Sequence, residues 1–160
     1  MAKIKRYEWA HFFNTGTPES KVWSRINKGF TELTEDSNAE VVEEKYIGDK
    51  NSSTSIESYA PSIGLSGSAY KGDAVFDLLD TMHRTRAVGA ECEVELLNVD
   101  IYNPGEGNSY PAILQPAVVE ITSWGGETME VGATIHYNGD PTFGTATIDA
   151  VSKAVTFSAN

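Results

Sequence analysis

The chain predicts a mainly β fold, an antiparallel sandwich or open barrel with one flanking α-helix. Three observations carry that prediction. β-Branched and aromatic residues recur between clusters of Gly, Pro, Asn and Asp at the spacing of short strands joined by turns. From Met129 to Tyr137 apolar and polar residues alternate strictly, the signature of a strand with one wet side. Only one stretch, beginning after Gly72, repeats its apolar residues with helical period. At 160 residues the chain fits one domain, 1–160, able to bury about 68 to 70% of its unfolded surface.

In chain order, strands are expected near Arg6–Phe13, Lys21–Ile26 and Ala39–Ile47. The first is rich in aromatics: Trp9 and Phe13 share parity with Tyr7, so one face of this segment is too apolar to stay wet along its length. The loop Gly48-Asp49-Lys50-Asn51-Ser52-Ser53-Thr54-Ser55 has no hydrophobic anchor and must be mobile or held from outside the subunit. A strand at Ile63–Tyr70 follows. Asp73 is placed to cap a helix whose Val75, Leu78, Leu79 and Met82 fall at i, i+3, i+4 and i+7. Arg84 and Arg86 suit its negative end, Gly89 is expected to close the segment, and Asp77, Asp80 and Thr81 face away from the sheet. From Glu91 to Tyr102 the alternation begins with Cys92, Val94 and Leu96 inward and Glu91, Glu93 and Glu95 outward, then shifts so that Leu97, Val99 and Ile101 form the apolar set. A bulge at Leu96-Leu97, or burial on both faces, accounts for the switch. Strands at Ala117–Trp124, Met129–Tyr137, Thr142–Asp149 and Ala154–Ser158 complete the reading.

Composition narrows the classes of function. With 23 acidic against 12 basic residues the formal charge is −11, the wrong sign for neutralising nucleic-acid phosphates. No apolar run approaches the roughly 18 to 20 residues that span a bilayer, so no membrane insertion is expected. The basic start, Met1 to Glu8, lacks the apolar stretch and cleavage site of a secretory signal, which suits assembly in a cytoplasm and release by another route. Cys92 is the single cysteine and excludes an intrachain disulfide.

No catalytic grouping emerges, and neither an enzyme nor a cofactor is expected. Gly64-Leu65-Ser66-Gly67-Ser68 approaches a nucleophile elbow, but Ser stands in place of the second glycine and no helix follows at once. His11, His83 and His136 lack the spacing of a metal site. Gly105-Glu106-Gly107 has no phosphate-binding Lys and Ser after it, and the Asn51-Ser52-Ser53 acceptor lacks a secretory context. Carboxylate pairs such as Glu43-Glu44 and Asp77 with Asp80 are too numerous to single out glycoside chemistry.

Two regions resemble phage tail tube proteins of long-tailed phages. One runs through Lys45-Tyr46-Ile47, Ser53-Thr54-Ser55-Ile56, Tyr59-Ala60-Pro61-Ser62-Ile63 and Asp73-Ala74-Val75-Phe76-Asp77. The other is Asn138-Gly139-Asp140-Pro141 with Gly144-Thr145-Ala146-Thr147-Ile148-Asp149, similar to the family's closing hairpin; with the Trp9 to Phe30 opening, the likeness covers most of the chain. It implies a tail-tube-like fold completed by ring oligomerisation: stacked hexameric rings forming a hollow conduit for DNA ejection in a virion tail assembled in the host bacterial cytoplasm. The implied partners are further copies of the chain, a tape measure protein and other tail proteins, with DNA passing through unbound. The long inter-ring loop at about 48–57 is matched by Asp49, Lys50, Asn51, Ser52, Ser53 and Thr54, behind an extended N-terminal segment. Glu91, Glu93, Glu95 and Glu130 are candidates to face the lumen, where like charge would repel the duplex and let it slide. Trp9 and Phe13 are candidate subunit contacts. A β-sandwich carbohydrate-binding or adhesion module is the alternative, with Trp23 and Trp124 as exposed stacking platforms.

Overall fold

The computed structural model describes residues 1–160. Eleven strands and one helix follow the order β1 (Trp9–Asn14), β2 (Trp23–Arg25), β3 (Phe30–Asp36), β4 (Ala39–Glu44), β5 (Ser53–Tyr59), β6 (Ser62–Ser68), α1 (Ala74–Thr85), β7 (Glu93–Asp100), β8 (Ser109–Gly125), β9 (Glu130–Tyr137), β10 (Thr142–Ile148) and β11 (Val155–Ala159). Nine strands make one antiparallel sheet, ordered β2-β1-β7-β8-β9-β6-β3, from which β10 and β11 branch at β8. β4 and β5 pair only with each other.

The branch is set by β8, which is 17 residues long and serves two partners on one edge. β10 pairs along Ser109 to Leu114 and β9 along Ala117 to Gly125. Pro116 falls in the gap between them, so its missing N–H deprives no ladder of a bond. Its carbonyl accepts from Asn138 N, and the buried Gln115 Nε2 donates to Pro116 O and Gly139 O, stitching the split shut.

Leu96 and Leu97 are each fully buried and paired in unbroken register on both sides, so the phase switch read in the sequence is burial on both faces and not a bulge. Leu96 belongs to a cluster with Phe13, Ile63, Leu65, Val119 and Ile135, roofed by Val75, Leu79 and Met82 of α1. Leu97 belongs to a second cluster with Phe12, Val99, Ala112, Ala146 and Val155, enclosed where β10 and β11 curl back. The edge strands β2 and β11 line one cleft without hydrogen bonding, so the barrel stays open.

Several element limits differ from the sequence reading. Arg6–Glu8 form a 3-10 turn, which removes Tyr7 from the parity of Trp9 and Phe13. Both faces of β1 are covered. The helix is capped by Asp73, whose carboxylate accepts from Phe76 N at 3.0 Å, and it stops at Thr85 because Arg86 turns left-handed with φ 51°. Gly89 instead opens a 3-10 turn, Gly89–Cys92. Two strands that sequence alone did not announce, β3 and β5, are polar edge segments.

Candidate functional site: a projecting arm and an acidic sheet face

The predicted loop is the outer part of a β-hairpin arm. From Ala39 to Tyr59 every residue is exposed except Val42, which is half-buried. Asp49, Lys50, Asn51 and Ser52 sit at its turn, while Ser53 and Thr54 are not loop residues but the start of β5, paired with Glu44 and Glu43. The turn is closed by the Asp49 carboxylate, which accepts from Tyr46 N at 3.0 Å.

Cross-strand register divides the arm into two unlike faces. Val41 opposes Ile56, Ala39 opposes Tyr59 and Glu43 opposes Thr54, giving a largely apolar face. Glu40, Val42 and Glu44 oppose Ser58, Ser55 and Ser53 on the other. Val41, Ile56 and Tyr59 are each more than half exposed although they are the apolar residues of a paired strand, so the arm carries an apolar stripe with nothing on it.

The second surface is the side of β3, β6, β9 and the distal half of β8 opposite α1. Strand register lays out its rows: Glu120, Thr134, Gly64, Thr34; then His136, Ser62, Asp36; then Gly132, Ser66, Glu32; and Glu130 with Ser68. Glu32, Asp36, Glu120 and Glu130 are exposed there, and no Lys or Arg occurs in these rows. His136 Nε2 lies 2.9 Å from Glu120 Oε1, and Ser66 donates to Glu32. Glu32 and Glu120 were legible only through strand register, because neither belongs to a carboxylate cluster in sequence.

Of the four glutamates expected to line one wall, Glu130 is in this face, Glu93 continues its His136 row through Val118, and Glu91 and Glu95 stand apart. Glu91 lies on the 3-10 turn before β7. Glu95 is half-buried and bound, its carboxylate 2.8 Å from Lys21 Nζ and accepting from Asn14 Nδ2. Glu93 is exposed opposite Val118, the partner of His136, and so marks the near end of the face, while Glu130 pairs with Gly125, roughly 23 Å further along β8 at about 3.3 Å per residue. Phe13 has no exposed surface and belongs to the core, so it offers a neighbouring subunit nothing. Trp9 is half-buried, edge-on to His11 at 4.3 Å.

The alternative's stacking platforms are also occupied. Trp124 is sandwiched between Phe76 and His83, with centroids at 5.7 and 4.2 Å, and Trp23 packs on the second cluster.

A buried polar thread crosses the helix-side core. Asn98 Nδ2 donates to the Tyr137 hydroxyl at 2.9 Å, leaving Asn98 Oδ1 to accept from His11 Nδ1 at 2.6 Å. The His11 tautomer therefore carries its proton on Nδ1, and Nε2 is buried without a partner. Burial pulls the His11 pKa down to about 4, with Arg6 and Arg25 adding to the shift. Burial likewise raises the Tyr137 hydroxyl, helped by the Glu35 carboxylate.

No protein-family model and no curated protein matches the sequence. Among solved structures, the chain is similar to a subunit from the tail of an empty GTA (gene transfer agent) particle determined with C6 symmetry, with a TM-score of 0.60 at 11% identity over 88% of this chain and 98% of that one. The chain thus shares the fold of that subunit, mainly antiparallel β with one helix and an open barrel.

Proposed function

We propose that the protein is a structural subunit of a phage-type tail, polymerising as stacked six-membered rings into a tube that conducts DNA without chemistry of its own. The observation that carries this reading is the arm: a paired, amphipathic hairpin from Ala39 to Tyr59 with an apolar stripe that its own subunit leaves bare. The likeness to a tail built with C6 symmetry supports the ring number. Open strand edges at β2, β3 and β11 give further sites that lateral neighbours would cover. The tape measure protein and other tail proteins are the expected partners, the virion tail the destination and the host bacterial cytoplasm the place of assembly.

The acidic face of β3, β6, β9 and distal β8 is the surface we assign to the channel. Four strands from each of six copies make 24, and at about 4.8 Å between strands these enclose a circumference of roughly 115 Å, or about 37 Å across, which admits a duplex. Glu32, Asp36, Glu120 and Glu130, repeated around each ring, present a wall that DNA phosphates avoid.

Electron microscopy of the purified protein tests the assembly: tubes or rings are expected, and deleting Asn51–Thr54 should leave a folded subunit that no longer elongates. A wild type that stays monomeric when concentrated with tail initiators removes the reading. Replacing Glu32, Glu120 and Glu130 together by Lys should preserve tubes and slow DNA ejection; ejection at the wild-type rate would take this face out of the channel.

A further inference from the structure

The chain carries far more acid than base, yet two arginines stand together without an acidic partner. Arg6 and Arg25 line a cavity of about 320 Å³ between the N-terminal turn, β1–β2 and the start of β3. Neither forms an ion pair; Arg6 Nη1 donates to Trp9 O and Arg25 Nη2 to Tyr7 O, so each retains unused donors. The two charges oppose each other, and the Arg6 pKa is drawn down by burial and then by Arg25. Glu32, the acid at the rim, is turned to Ser66. Trp9, Ile26, Phe30 and Leu33 give the cavity an apolar side, Asn27 and Thr31 a polar one, and the unpartnered Nε2 of His11 lies alongside.

The arm has the complementary pattern. Its apolar face holds Val41, Ile56 and one carboxylate, Glu43, which has no hydrogen bond or ion pair, whereas Glu40 accepts from Ser58 and Glu44 from Tyr46. From Ala39 to Tyr59 the arm bears five acids, Glu40, Glu43, Glu44, Asp49 and Glu57, against Lys45 and Lys50. It does not fill its own cavity: Phe30 at the cavity is at the far end of β3 from Asp36, after which the arm departs, and β4 and β5 pair with nothing but each other and stay exposed.

We infer that the cavity of one copy receives the apolar face of another copy's arm, with Glu43 set between the Arg6 and Arg25 guanidinium groups and Val41 and Ile56 against Trp9, Phe30 and Leu33. A bidentate carboxylate relieves the repulsion between the arginines, and the water displaced, roughly ten molecules' worth of volume, leaves an apolar wall for the arm. This assignment rests on the tube reading and supplies the acceptor that reading lacks.

The test uses the full chain with Cys92→Ser, since Ser keeps the donor that Cys92 Sγ gives Ala87 O. Adding Thr54→Cys, which opposes Glu43 on the arm's apolar face, and Thr31→Cys, exposed at the cavity rim, should give oxidised ladders of dimers and higher multimers in assembled protein and none in monomer. In parallel, Arg25→Glu should lower the pelletable fraction at least tenfold while circular dichroism and Tm stay near wild type, and adding Glu43→Arg should recover a large part of it. Tubes that assemble and depend on the arm, yet give no ladder and no recovery, overturn the docking site and leave the tube reading standing. A wild type that never assembles overturns both.

Discussion

Two hairpins of this chain, β7–β8 and β4–β5, share antiparallel pairing and differ in everything that surrounds it. β7 has apolar residues on both faces, Leu96 toward α1 and Leu97 toward β10–β11, and both are fully buried. β4–β5 has an apolar face of similar character and no cover at all. Backbone pairing is thus common to both and does not decide stability; burial does. A lone two-stranded hairpin is marginal in water. The arm's order in isolation therefore derives from its base at β3 and β6, and its apolar stripe gains no burial from its own subunit.

The largest effect that distinguishes the two is side-chain truncation. Leu96→Ala or Leu97→Ala should each cost about 2–5 kcal/mol, because each leaves a cavity in a tightly enclosed cluster. Ile56→Ala, an apolar truncation in the arm, should stay within about 0.5 kcal/mol in the monomer. Urea unfolding measures both. Similar losses at the two places would mean that the arm folds back onto the body in solution.

Next in size is a pH effect confined to the body. His11 titrates near 4 in the folded protein and near 6.5 when unfolded. Between those values the unfolded chain takes up a proton that the native one refuses, so stability is complete above about pH 6.5 and falls as the pH drops toward 4. At 1.36 kcal/mol per unit, the loss is at most about 3 kcal/mol. His11→Gln keeps a donor for Asn98 Oδ1 and removes the titration, so its urea midpoint should change less between pH 7 and pH 4.5 than that of the wild type. An unchanged pH slope would place the proton uptake on another group.

The body was largely legible from sequence and the arm only partly. Period-two alternation located β7 and β9, and helical spacing with an Asp cap located α1, because each buries one regular set of side chains. β5 was missed because Ser53-Thr54-Ser55 has the composition of a loop and is strand only through pairing with β4. The proximal half of β8 was hidden by Pro111 and Pro116, harmless here because the strand changes partner at Pro116. The acidic face was invisible for a similar reason: Glu32, Glu120 and Glu130 come from three strands and meet only in the sheet. Glu91, Glu93 and Glu95 looked like a row in sequence, but a turn and the Lys21 contact separate them.

The smallest expected change in stability belongs to Val41→Ser with Ile56→Ser, and there the comparison is sharpest. Both side chains are more than half exposed, so their replacement removes little buried area from the monomer, and its unfolding midpoint should hold. If another subunit covers them, the same two changes remove apolar contact in every copy of a polymer, where small losses multiply along the tube. Sedimentation should then show the variant remaining in the supernatant at concentrations where the wild type pellets. Core truncations rank the other way: those that still fold should assemble in proportion to the folded fraction. A double variant that pellets like wild type would show that the stripe faces solvent in the polymer too, and the arm would have to act through its turn or its backbone edge.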